Sequence, residues 1–355
     1  MKITLFRKII IILFLLFINS IIYLCYFLFY KEKIDKLKIK KFFSDTNLPY
    51  KKALGTYPGY NNLHLNYKYE CSKYFKYHKN TKEDIVIFAY TTRPEKIYFF
   101  RSFENIIDSL RHSVPNAVIA CVIPQKDLNS KGAKFLKEFG VNLIPFKGYE
   151  NYCIVTSRYI AIYNFLKLNA HKYKRVFLSD IDDVYMFNDI FSTFNEEEII
   201  INKQCCIFES EYCHLLFPVD ESSFNISYII KKNNTKLDLE LIKGIGKNKI
   251  NPQVINGGIV FGGTKKVIEF LRIFNEYINP SKVTSFGYDQ VLITLLVIKK
   301  KFASIGLKLE RCTQRVCFWG NVNYNLNTTK IVYSKNKCSP IVLHKSIPPA
   351  WKTVK

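Results

Sequence analysis

At 355 residues, 48% hydrophobic and 15% aromatic, the chain has material for one large α/β domain or two small ones. A net charge of +24 would suit nucleic acid, yet its lysines are spread along the whole chain among Ile, Asn, Tyr and Phe. No helix-turn-helix, zinc-finger or RNA-binding signature accompanies them, so we set nucleic-acid binding aside; a basic surface still favours phosphate-bearing ligands and anionic membranes.

Residues 9–30 form an uncharged stretch, long enough to cross a bilayer as one helix and longer than the core of a cleaved signal peptide. The sequence therefore predicts a short tail (1–8), a transmembrane signal anchor (9–30), a stem (31–82) and a folded domain (83–355). Lys2, Arg7 and Lys8 precede the span, and Lys31, Lys33, Lys36, Lys38, Lys40 and Lys41 follow it. Taken alone, those flanking charges place the domain in the cytosol. Three N-x-[ST] sequons, at Asn225, Asn233 and Asn327, and nine of the ten cysteines lie beyond the anchor and argue for an oxidising lumen, the orientation we expect. Cys205, Cys206, Cys213 and His214 are close together but fit no common zinc spacing. Structural disulfides are expected instead, with Cys312 and Cys317 as one possible pair.

From residue 84 the apolar pattern becomes regular. It predicts strands over 85–89, 117–123, 141–145 and 176–178, alternating with helices over 94–110, 128–139 and 156–168. Ile107 and Leu110 fall on the inner side of the first helix; Ile160, Tyr163, Phe165 and Leu166 anchor the third. Strict alternation predicts a mostly parallel, Rossmann-like sheet flanked by helices, with ligands bound beyond the carboxyl ends of its strands. The second half is less regular. It holds a strand within 198–208 and another, 256–263, entered and left through glycine pairs. Helices over 265–277 and 291–298 follow, then a last strand over 341–343 that runs into His344 and Lys345.

The fourth strand ends in Asp180, Asp182 and Asp183. Side chains two apart on an extended chain share a face, which pairs Asp180 with Asp182 and turns Asp183 the other way. Carboxylates so close repel one another unless a cation lies between them, and a hard divalent ion such as Mn²⁺ or Mg²⁺ is the simplest candidate. A D-x-x-D pairing of Asp180 with Asp183 stays open beside the D-x-D reading.

These pieces together resemble the metal-dependent nucleotide-sugar glycosyltransferases of the GT-A fold. The nearest group is the retaining one that includes glycogenin and the lipopolysaccharide galactosyltransferases (glycosyltransferase family 8-like). The likeness runs from about Asp84 to His344. It rests on Asp180-Ile181-Asp182 at a strand end, on Asn256-Gly257-Gly258 where that group has N-A-G, on Asp289-Gln290 where it has D-Q-D, and on a late histidine, His344. Val291 replaces the last acid of D-Q-D, and only Lys345 and Pro348-Pro349-Ala350-Trp351 stand near the closing Lys-Pro-Trp.

The resemblance implies a type II, single-pass Golgi or endoplasmic reticulum membrane protein with a lumenal hexosyltransferase domain. The donor would be a nucleotide diphosphate sugar, and the acceptor a hydroxyl on a glycan, glycoprotein or glycolipid. Asp180 and Asp182 (or Asp183) with His344 would hold Mn²⁺ or Mg²⁺. Lys345 and Arg158 would meet the diphosphate, Arg158 alternatively orienting Asp180 or forming a structural ion pair. Thr91, and less directly Thr92 and Arg93, would line the base and ribose pocket. Asn256, Asp289 and Gln290 would face the sugar and acceptor: Asp289 as general base if the reaction inverts, Gln290 or Asn256 near the anomeric carbon if it retains. Asp289 is also read as the N-cap of the helix over 291–298. Two other readings remain: an inactive membrane-anchored glycan-binding module of the same fold, and a nucleotidyltransferase of related fold, which the lack of a glycine-rich loop after the first strand disfavours.

Overall fold

The computed structural model describes residues 64–90, 106–148, 153–181, 184–203, 255–278, 288–310, 314–318, 322–325, 330–333 and 337–344. The expected anchor, the three sequons, the cysteine cluster at 205–213 and Cys312 lie outside them, as do Thr91, Thr92, Arg93, Asp182, Asp183 and Lys345. Among the described residues no helix is long and apolar enough to cross a membrane.

The first half follows its apolar pattern. Strand β1 (Asp84–Ala89) and strand β2 (Val118–Pro124) flank a helix, α1, whose described part is 106–113. Helix α2 (Lys131–Glu138), strand β3 (Asn142–Phe146), helix α3 (Ile154–Asn169) and strand β4 (Arg175–Ser179) follow. The expected 128–139 helix starts late because Ser130 caps it, its side chain accepting the Ala133 N–H at 3.1 Å. All six residues of β1 are buried, as a central strand covered on both faces requires.

The second half contains β5 (Val184–Met186), β6 (Ile199–Lys203), β7 (Ile255–Gly263), α4 (Thr264–Glu276), α5 (Tyr288–Ile298) and β8 (Lys308–Glu310). Four short strands complete it: β9 (Val316–Phe318), β10 (Val322–Asn325), β11 (Lys330–Tyr333) and β12 (Val342–His344). The main sheet has seven strands in the order β3-β2-β1-β4-β7-β6-β8. Every neighbouring pair is parallel except the two made by β7, which runs against β4 and β6. The fold is therefore α/β with a mostly parallel, Rossmann-like sheet. On one face α3, α4 and α5 deliver Ile162, Leu166, Phe270, Phe274 and Ile293 against Ile85, Ile87, Val176 and Leu178. The inner face of α3 runs through Tyr159, Ile162 and Leu166, whereas the expected anchors Tyr163 and Phe165 are only partly covered.

A second, three-stranded sheet, β5-β12-β9, brings the last described strand back to the acidic strand end. In it Val184, just past the acidic cluster, pairs with His344. A buried knot fixes the opposite end of β4: Arg175 donates to both Asp84 carboxylate oxygens at 2.7 Å and to the carbonyls of His78 and Phe191.

The expected stem is too long. Residues 64–80 belong to the domain: Cys71 is disulfide-bonded to Cys338, and the Asn66 N–H donates to Ser339 Oγ at 2.8 Å. Asn80 donates from its backbone and side chain to the buried carboxylate of Asp189. Contacts so distant in sequence leave no periodic signal in an irregular segment, which is why composition alone read it as a linker.

Candidate functional site

Beyond the carboxyl end of β4 the chain places Asp180, and its N–H donates to the carbonyl of Gly258 on β7 at 2.8 Å. Ile201 of β6 pairs with Val260 of β7, but Lys203 pairs with Ile255, so β7 swells over 256–259. Within the swelling Asn256 Oδ1 accepts the Gly258 N–H at 2.8 Å. This Asx-type bond commits the amide oxygen of Asn256 to holding the turn.

The two glycines face opposite sides. A Cβ on Gly258 would overlap Asp180 Oδ2 and come within 2.6 Å of His344 Cε1 and 3.0 Å of Asn256 Oδ1. One on Gly257 would meet Asp289 Oδ2 at 3.2 Å, Tyr159 Oη at 3.4 Å and Gln290 Cα at 3.5 Å. The bare backbone thus lets side chains from α3, β4, α5 and β12 close around it.

Arg158, buried on α3, is the hub. It donates to Asp180 Oδ1, to the Gly257 carbonyl at 3.0 Å and to Asp289 Oδ2 at 3.3 Å. Tyr159 also donates its hydroxyl to the Gly257 carbonyl. Burial opposes the charge on Arg158, but Asp180, Tyr159 and Asp289 outweigh it and hold the guanidinium well above its ordinary range. Asp289 lies inside the first turn of α5 rather than capping it, because the helix begins at Tyr288. Burial pushes its carboxyl up to about 6; the Arg158 charge pulls the other way and Asp180 adds to the rise.

His344 ends β12, fully buried, with Nε2 3.4 Å from Asp180 Oδ2. Arg158, Asp180, Asn256, Asp289, Gln290 and His344 are thus brought to one place. Thr91, Asp182, Asp183 and Lys345 lie outside the described residues. Tyr159 was missed by the sequence reading. Its only signal there is its position beside Arg158, since a tyrosine in an apolar helix reads as core.

Among the described residues no group of three or more His, Cys, Asp or Glu side chains forms a metal cluster; Asp180 and His344 are the two described members of the expected set. Those two fit a divalent ion. Their donor atoms converge over a glycine, and two carboxylates, Asp180 and Asp289, outnumber the one guanidinium between them. A carboxylate oxygen suits Mn²⁺ or Mg²⁺, and the imidazole tips the pair toward the transition metal.

No protein-family model matches the chain, and no curated protein matches it.

Proposed function

We propose that the chain is a metal-dependent glycosyltransferase of the GT-A type, moving a sugar from a nucleotide diphosphate donor to an acceptor hydroxyl. The observation that carries this reading is the convergence of His344, from the last described strand, on Asp180 at the end of β4. In a mostly parallel sheet that strand end is where ligands bind. A bound Mn²⁺ or Mg²⁺ would supply Lewis-acid stabilisation of the departing diphosphate, with Asp180, His344 and Asp182 or Asp183 as its protein ligands.

The remaining residues position groups and carry charge. Arg158 balances Asp180 and Asp289 and adds positive charge beside the diphosphate. Asp289, with its carboxyl near 6, is ionised at neutral pH and basic enough to take a proton from an acceptor hydroxyl if the reaction inverts. In a retaining reaction Gln290 or Asn256 would instead lie near the anomeric carbon. A type II protein with this domain in the lumen of the Golgi or endoplasmic reticulum would meet glycan, glycoprotein or glycolipid acceptors.

The test is to incubate the purified full chain with a panel of nucleotide sugars and Mn²⁺ and measure nucleoside diphosphate release. Turnover that needs the metal and disappears in Asp180→Asn and His344→Ala supports the reading. Glycan binding without turnover would favour the inactive module, and transfer of a nucleoside monophosphate would favour a nucleotidyltransferase.

A further inference from the structure

The segment that delivers His344 is held from far away in sequence. Cys71 and Cys338 are 267 residues apart and joined by a disulfide. Around that bridge the 66–71 strap grips the approach to β12. The Asn66 N–H donates to Ser339 Oγ at 2.8 Å, the Ser339 N–H returns to the Asn66 carbonyl at 3.1 Å, and the Tyr67 hydroxyl donates to the Pro340 carbonyl at 2.7 Å. Gln314 completes the link. Its side-chain Nε2 donates to the Cys71 carbonyl at 2.5 Å, and its own carbonyl accepts the Ile341 N–H at 2.7 Å. Strand β12 starts one residue later, at Val342, and ends at His344.

From this arrangement we infer that the Cys71–Cys338 bridge and its strap are a positioning device for the metal site, setting β12 so that His344 faces Asp180. The inference rests on the metal-dependent reading above. Among the described residues β12 pairs with β5 on one side and β9 on the other, three residues to each. The leading end of β12 is fixed by a covalent bond with the five hydrogen bonds named above around it. Metal sites lose affinity when the groups that orient a ligand are released, typically by about 10- to 100-fold. The bridge survives in an oxidising compartment and is opened by thiols. The strap therefore links compartment chemistry to site assembly: a domain held in a reducing environment folds its main sheet but leaves His344 poorly aimed.

The test reads Mn²⁺ affinity by electron paramagnetic resonance titration of the full chain, without donor or turnover. Four samples are compared: the wild type, His344→Ala, Cys338→Ser, and folded wild type treated with a phosphine. The phosphine becomes its oxide by taking the oxygen of one water, and the bridge becomes two thiols. Near-UV circular dichroism reports folding in each sample.

The expected result is Mn²⁺ binding in the wild type, lost in His344→Ala and weakened about tenfold or more in the bridge-opened samples that stay folded. Unchanged affinity in a folded bridge-opened sample overturns the inference and leaves the metal reading intact, whereas a silent His344→Ala takes His344 out of the metal set and overturns both. Unfolding of both opened samples overturns it too, because the bridge then serves the whole fold and not the placement of β12. Absence of Mn²⁺ binding in the wild type removes the metal reading itself, and this inference with it.

Discussion

Arg158 and Asp180 form a partly buried ion pair in which the carboxylate is divided: one oxygen takes the guanidinium, and the other faces His344 Nε2 at 3.4 Å. The same guanidinium reaches the buried Asp289 at 3.3 Å, so one cation serves two carboxylates, one of them away from water. Replacing Arg158 by Met would strand both acids. Breaking a buried pair by removing one partner costs about 3–5 kcal/mol, and Arg158→Met is expected to lose stability on that scale in urea unfolding. A loss below about 1 kcal/mol, the range of an exposed pair, would show that the acids are not held by this side chain.

Asp289 gives the site a pH signature. Its carboxyl is raised from 3.8 to about 6, so the folded state binds the proton more tightly than the unfolded chain does. With the folded value above the unfolded one, stability from this group is present at low pH. It falls as pH rises between roughly 4 and 6, with a slope approaching 1.4 kcal/mol per pH unit, and is level above that. Subtracting the curve of Asp289→Asn from that of the wild type isolates the slope. A difference curve that is flat from pH 4 to 6, or that rises with pH, contradicts the buried, proton-retaining carboxyl.

Gly258 tests the packing around the metal donors. Its added Cβ would overlap Asp180 Oδ2 and crowd His344 and Asn256, the side chains that converge there. Gly258→Ala should therefore lower Mn²⁺ affinity about tenfold or more, as displacing an oriented ligand does, while the circular dichroism of the sheet is kept. Gly148→Ala is the control: nothing lies within 4 Å of its Cβ, and at its φ of +88° the cost is backbone strain rather than a clash with the donors. Equal Mn²⁺ affinity in the two variants would mean that the space over Gly258 is not the metal site.

Much of the sheet was legible because its strands are short, continuous apolar runs. Ile85 to Ala89, fully buried, could hardly be anything else, and Asp180 stands where such a run stops. Pattern could not supply direction. The glycine-flanked run around Val260 reads as a strand whichever way it points, and only pairing with β4 and β6 makes it the antiparallel member. Val184–Met186 is too short for any period, and becomes a strand only because β12 returns to it. The apolar face of α3 was misplaced for a related reason. Arg158 and Tyr159 are polar by type yet buried, their polar ends turned to Asp180 and Gly257, so a hydrophobicity pattern centres on the wrong side. At the site, Asp180 was legible from its place at the end of an apolar run, whereas Asn256, Asp289, Gln290 and His344 were pointed to only by the family resemblance. The strap that holds β12 was not legible, because it rests on contacts spanning almost the whole described chain.

The knot at the other end of β4 separates stability from the site. Arg175 meets Asp84 through two hydrogen bonds of 2.7 Å and also donates to the carbonyls of His78, Lys79 and Phe191. Both side chains are buried, and they join the first residues of the adjacent parallel strands β1 and β4. Asp84→Ala leaves the guanidinium with its carbonyl partners but without a counter-charge. It is expected to cost about 3–5 kcal/mol in urea unfolding, like other broken buried pairs. Asp180 lies past the opposite end of β4, so the folded fraction of Asp84→Ala should keep wild-type Mn²⁺ affinity. The double replacement Asp84→Leu with Arg175→Met should recover part of the loss, since an apolar pair removes the stranded charge. Mn²⁺ affinity falling in step with stability would instead mean that the two ends of β4 are coupled and that the site depends on this knot.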